Sequence, residues 1–161
     1  MNRRHFIFTC MALAPLPFVA SRSFSKEISS SDIMTITKSD AEWKQLLTPI
    51  QYDILRNEAT ERAGSSPLND EKRDGQYHCA GCDLALFNSE MKFDSGTGWP
   101  SFYTSLPKVL ETKIDFKLIF PRKEYHCARC GGHHGHIFSD GPKPTGERWC
   151  NNGAALKFIP A

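Results

Sequence analysis

Tyr77-His78-Cys79-Ala80-Gly81-Cys82 returns further along the chain as Tyr125-His126-Cys127-Ala128-Arg129-Cys130, identical at five of six positions. Each copy ends in Cys-x-x-Cys, a turn that presents two thiolates on one side. Two such turns complete the tetrahedron of soft ligands that zinc prefers, and a closed four-thiolate site is structural. Cys79, Cys82, Cys127 and Cys130 are therefore expected to hold one zinc ion. The 44 residues between Cys82 and Cys127 exceed the spacing of a compact zinc ribbon, so they must fold out as strands of their own. The two pairs then clip distant parts of one domain together, and the repeat predicts a pseudo-twofold about the metal.

Two disulfides or a redox pair are the alternative in an oxidising compartment. Cys-x-x-Cys bridges are strained and redox-active, and two in symmetric copies would be odd, which favours zinc. A thiol oxidoreductase built on these pairs would also need a βαβ setting that the sequence lacks.

Outward from the knuckles, short apolar or aromatic runs bounded by Gly, Pro, Asn and Asp fall at 76–79, 84–87, 136–138, 147–150 and 155–159. Ile114, Phe116, Leu118 and Phe120 alternate with period two, which predicts a strand with one buried face. Upstream, Ser39-Asp40-Ala41-Glu42 is a capping box, and Thr48-Pro49-Ile50-Gln51 repeats it with Pro at the first helical position. Short helices are expected over 40–47 and 49–58. The fold class is mainly antiparallel β with helices at the front, in one domain over 39–161 of a chain of 161 residues.

Ahead of the domain, Arg3 and Arg4 precede an apolar run, Phe6 to Ala20, too short and too Pro-broken to span a bilayer. Residues 1–25 read as an export signal, and Asn2-Arg3-Arg4-His5-Phe6-Ile7 resembles the twin-arginine type, which implies a periplasmic or otherwise exported protein. Residues 26–38 are polar and Ser-rich and read as a tether. Removing 1–25 takes away Arg3, Arg4 and Arg22 and no acid, leaving 17 basic against 18 acidic residues. That balance, without a basic stripe, argues against nucleic acid as a partner.

Cys10 leaves with the signal and the knuckles take four thiols, so Cys150 remains, within Glu147-Arg148-Trp149-Cys150-Asn151-Asn152-Gly153. A single thiol with basic or imidazole neighbours can act as a nucleophile if its pKa is lowered. Three of the six histidines cluster at His133, His134 and His136. The glycines at 132 and 135 make simple strand alternation unreliable, so the imidazoles that face Cys150 stay open. An inert thiol and a second metal site made by the histidines are the bland alternatives.

Three blocks taken in order, Phe93-Asp94-Ser95-Gly96-Thr97-Gly98-Trp99-Pro100-Ser101-Phe102, His133-His134-Gly135-His136-Ile137-Phe138-Ser139-Asp140-Gly141-Pro142 and Arg148-Trp149-Cys150-Asn151-Asn152-Gly153, resemble the B-type methionine sulfoxide reductases over residues 40–161. The resemblance implies two antiparallel sheets, β-tent-like, with short N-terminal helices, and zinc that supports the fold away from the active site. It implies reduction of the R epimer of methionine sulfoxide, mainly in proteins, by a monomer with a thioredoxin-like or other thiol as reductant. Cys150 matches the nucleophile, His136 the acid, His133 its positioning partner, Trp99 the wall against the substrate methyl group, and Asn152 the residue that orients the sulfoxide. The chain departs from the family pattern at three places. Thr97 stands where many members carry a resolving cysteine, which implies a one-cysteine enzyme reduced by an outside thiol. His134 replaces an apolar residue, and Trp149 replaces a tyrosine. The competing class is a zinc-ribbon binding module without catalysis.

Overall fold

A computed structural model describes residues 33–117 and 120–161. The export signal, Cys10 and residues 26–32 of the tether lie outside the described residues. Helices α1 (Asp40–Leu46) and α2 (Pro49–Asn57) open the domain, each with its capping box closed. The Ser39 backbone N–H donates to Glu42 Oε2 at 2.7 Å, and that of Thr48 donates to Gln51 Oε1 at 3.1 Å. Trp43 from α1 and Ile54 and Leu55 from α2 are buried in the core.

Among the described residues nine strands follow: β1 (Gly75–Cys79), β2 (Ala85–Asn88), β3 (Lys92–Phe93), β4 (Ser101–Phe102), β5 (Leu110–Asp115), β6 (Arg122–Cys127), β7 (His133–Phe138), β8 (Arg148–Asn151) and β9 (Leu156–Pro160). All pairings are antiparallel, in one sheet of order β2-β1-β9 and another of order β3-β4-β8-β7-β6-β5. Tyr77, Phe87, Phe102 and Tyr125 are completely buried, with Phe87 stacked on Phe102 at 4.0 Å between centroids.

The repeat is a structural one. Cys79 N–H donates to Leu84 O and Asp83 N–H to Cys79 O, and the second knuckle copies this with Cys127 N–H to Gly132 O and Gly131 N–H to Cys127 O. Each knuckle turns through a residue in the left-handed region, Asp83 (φ 62°) and Gly131 (φ 67°). The likeness extends into the strands: the pairing of β1 with β2 and that of β6 with β7 each shift register at the Tyr-His step, Tyr77/His78 and Tyr125/His126, with the extra residue on the partner strand.

The alternating run 114–120 folds otherwise than its pattern predicts. β5 ends at Asp115, while Ile114, Phe116 and Phe120 are 55%, 74% and 79% exposed; Leu118 lies outside the described residues. Parity is the reason. Asp115 is drawn inward because its carboxylate accepts from the Lys117 N–H (2.8 Å) and from Arg122 (2.6 Å) and pairs with His136 (2.8 Å). In an extended chain its neighbours on either side must then face outward.

Candidate active site and metal centre

β7 and β8 set Cys150 directly opposite His136, and β4 sets Ser101 opposite Cys150 from the other side. Directly paired residues project from the same face of the sheet. Cys150, His136, Trp99 and Asn152 thereby line one pocket of about 130 Å³, together with Thr60, Arg122, Gly135, Phe138 and Asn151. Gly135 is required where the strands come closest, because a Cβ there would stand 1.9 Å from the Cys150 carbonyl oxygen.

A bulge in β7, opposite the Tyr125/His126 step of β6, decides which histidines reach this pocket. His126 pairs with His133 while Tyr125 pairs with Gly135, so residue 134 is extra and regular alternation is broken. His133 and His136 end side by side, ring centroids 5.4 Å apart, and His134 turns into the core against the Tyr125 ring. Each of the two neighbouring imidazoles is anchored by a buried carboxylate. His133 Nδ1 lies 2.8 Å from Glu124 Oε1, and His136 Nε2 lies 2.8 Å from Asp115 Oδ2. An ionised carboxylate can only accept, so these nitrogens carry the protons and His136 keeps Nδ1 for a ligand. Burial lowers the pKa of both histidines below the ordinary value, against the opposing pull of Glu124 and Asp115. Both are neutral near pH 7.

Burial pushes the Cys150 thiol up, and the Arg148 guanidinium followed by the Thr97 hydroxyl pull it back. Arg148 is held by Asp140 through two bonds, at 2.8 and 2.9 Å, and by the face of Phe138 at 4.4 Å. Trp99 Nε1 donates to Glu61 O at 3.1 Å, which fixes the indole as a wall. The Asn152 amide is anchored at both ends: Oδ1 accepts from Glu61 N–H and Nδ2 donates to His134 O, each at 3.0 Å. The Glu61 carboxylate in turn accepts from the Gly153 and Ala154 N–H groups at 2.6 and 3.0 Å.

Asp115, Glu124, Asp140, Arg148 and Glu61 are site residues that sequence reasoning missed. Arg148 had a signal, because it stands two residues before Cys150 and strand parity places both on one face. The four acids had none, since each meets the side chain or turn it anchors in the site only once the strands and turns have closed.

His134 is wholly buried, and among the described residues neither of its ring nitrogens finds a hydrogen-bond partner. Burial lowers its pKa to about 3 from an ordinary 6.5. The unfolded chain therefore takes up this proton first as pH falls. The resulting penalty on the folded state begins near pH 6.5, grows by about 1.4 kcal/mol per pH unit, and levels off once pH passes below the folded value. Relative to the parent, His134→Leu is expected to gain about 2 kcal/mol between pH 7 and pH 5 in urea melts. A stability difference that stays constant with pH would contradict this.

The cysteines of the two knuckles meet between the sheets. Cys79 Sγ lies 3.7 Å from Cys130 Sγ and Cys82 Sγ 3.5 Å from Cys127 Sγ, with all four sulfurs within 4.8 Å of one another. Four thiolates around a metal at a bond length of about 2.3 Å would be roughly 3.8 Å apart, so the cluster fits a tetrahedral ion. Among the described residues no second group of potential ligands is gathered in this way, so the three histidines do not form a metal site of their own.

The SelR domain family matches residues 47–160. The chain is 52% identical over 121 residues to the peptide methionine sulfoxide reductase B1, chloroplastic, of Arabidopsis thaliana, a match covering 74% of this chain and 60% of that protein. It is 50% identical over 127 residues to the peptide methionine sulfoxide reductase MsrB of Leifsonia xyli subsp. xyli, covering 78% and 91%. With the protein of the same name from Methanosarcina barkeri it shares 48% over 124 residues, covering 76% and 87%. The chain thus spans less than two thirds of the chloroplastic relative and nearly all of the other two.

Proposed function

The chain belongs to the SelR-domain family, and from that membership we propose that it reduces the R epimer of methionine sulfoxide, mainly in proteins, to methionine. The observation that carries the reading is the pocket in which a single thiol, an imidazole on the facing strand and an indole wall converge. A flat apolar wall at Trp99 suits the substrate methyl group. The raised Cys150 pKa and lowered His136 pKa describe a resting thiol beside a neutral imidazole. When substrate binds, the thiol proton passes to His136 Nδ1 and on to the sulfoxide oxygen as the Cys150 sulfur attacks the sulfoxide sulfur. The oxygen leaves with the cysteine, so the products are methionine and a sulfenic acid on Cys150. Two equivalents of an outside thiol then return Cys150 to the thiol, releasing water and a disulfide. His133 and Glu124 hold His136 in place from behind, and the second Nδ2 proton of Asn152 remains for the sulfoxide oxygen.

Zinc is the ion we assign to Cys79, Cys82, Cys127 and Cys130, on the fit of the sulfur spacings to its tetrahedron. Its place is structural, because none of the four sulfurs lines the pocket. The leader, outside the described residues, supports export. Among the described residues no helix is long and apolar enough to cross a membrane.

Resolved R and S methionine sulfoxide, each incubated with the purified protein and dithiothreitol, test the reading. The R epimer is expected to be consumed and the S epimer left. Equal consumption of both, or of neither, would show the assignment to be wrong.

A further inference from the structure

Among the residues that line the Cys150 pocket, Arg122 alone is charged near pH 7, and none is an acid. Strand register puts it there. Asp115 pairs with Arg122 across β5 and β6, and Arg122 stands two residues before Glu124, which pairs with His136. Residues two apart on a strand share a face, so Arg122 projects from the same face as His136 and Cys150.

The guanidinium is only partly used. Nη2 donates to Asp115 Oδ2 at 2.6 Å, and the same oxygen accepts from His136 Nε2 at 2.8 Å, so a single carboxylate oxygen stands between the cation and the ring. Asp115 is the one acceptor this guanidinium has among the described residues, and Nε is buried without any. An arginine carries five N–H donors in a rigid fork. The Asp115 side chain is 6% exposed and that of Arg122 29%, so the carboxylate fixes the inner edge of the fork and the outer edge is left to the pocket.

An acceptor for that edge has to arrive with the substrate. The sulfoxide oxygen is already met by His136 and Asn152, which leaves the main chain. Cys150 on β8 and Arg122 on β6 stand two strand spacings apart, roughly 10 Å. A methionine side chain places about 4 Å between its sulfur and its Cα, with a carbonyl oxygen about 2.4 Å further on. Added to the length of the arginine side chain, that spans the gap. We propose that Arg122 is a substrate-binding residue whose outer edge takes a main-chain carbonyl of the oxidised methionine while its inner edge holds Asp115. The assignment rests on the sulfoxide reading above and gives the pocket a grip on the polypeptide as well as on the sulfoxide.

The test compares two substrates with the zinc-loaded full chain and dithiothreitol. The R-sulfoxide of N-acetyl-methionine-N-methylamide has a main-chain carbonyl on each side; ethyl methyl sulfoxide of matching configuration has the same reacting end and no main chain. A loss common to both reports disturbance of Asp115 and His136, so the ratio of the two kcat/KM values reports the carbonyl alone. Arg122→Met is expected to lower that ratio about tenfold. Arg122→Lys keeps a cation for Asp115 but has no fork to reach in two directions, so it is expected to lower the ratio with little change for ethyl methyl sulfoxide. A ratio within about twofold of the parent in Arg122→Met, or in Arg122→Lys where the methionine variant fails to hold zinc, would overturn the contact. A parent that reduces neither substrate would overturn the sulfoxide reading itself, so the two failures are told apart.

Discussion

Cys150→Ser is expected to lose methionine sulfoxide turnover by at least about 10³-fold while keeping the zinc and the thermal transition of the parent. A serine hydroxyl fits the half-buried site between Ser101 and His136, so little strain is introduced. The chemistry is another matter. Reduction of the sulfoxide needs an atom in the protein that can accept the oxygen, and sulfur does so by becoming a sulfenic acid. An oxygen nucleophile would have to form a peroxide, and it is also un-ionised near neutral pH. Residual activity is therefore expected to be indistinguishable from background, as read by methionine release from the R epimer with dithiothreitol. Retention of a tenth of the parent rate would move the nucleophile away from Cys150.

Cys127→Ser is expected to abolish the cooperative fold. Cys127 is fully buried at the end of β6, where one knuckle meets the other, so one mutation removes a quarter of the four-sulfur cluster that joins the repeats. Structural zinc in small domains contributes apparent binding energies of about 10–16 kcal/mol, and whole domains are stable by only about 5–15 kcal/mol. A site left with three thiolates, or emptied by a chelator, leaves too little margin for two sheets of short strands. Far-ultraviolet circular dichroism on heating, alongside zinc analysis, is the measurement. The expected result is a broad, shifted or missing transition and well under one equivalent of metal. A transition within about 5 °C of the parent would show that the cluster is dispensable, and with it the structural role assigned to zinc.

Both effects are large because each residue is irreplaceable in kind, by redox chemistry in one case and by ligand softness in the other. The rest of the pocket is built from graded contributions. Arg148 tunes the thiol by its charge, while Asp115 and Glu124 orient imidazoles that would otherwise rotate. Glu61 ties Trp99, Asn152 and the turn after β8 into one frame.

Much of this was legible in the residues themselves. The helices appear within a residue of where their capping boxes put them, because a cap is a local interaction that leaves a local signature. The knuckle repeat announced the cluster of four sulfurs and the matching turns that present them, since Cys-x-x-Cys geometry is set by a turn of a few residues. The strand read at 114–120 failed for the opposite reason. Its alternation was real, but a partner 21 residues away on β7 decided which side of the chain faced inward. For Cys150 the sequence supplied the candidate by subtraction and the family by its ordered motifs. It could not choose among the three histidines, because the extra residue in β7 is defined only by its pairing with β6 and shifts parity for all that follows.

The chain by itself thus determined the thiol inventory: four cysteines paired by local turns into one cluster able to hold a metal, and Cys150 left apart from them, with Thr97 where many family members carry a second thiol. Only the tertiary structure decided what surrounds that thiol. Register across β4, β8 and β7 brings Ser101 and His136 to it, the β7 bulge selects His133 and His136 over His134, and Asp115, Glu124, Asp140 and Glu61 come from other elements and turns. Ligand type is a property of single residues and survives in a string of letters. Orientation is a property of pairs, and pairs exist only once the strands have closed.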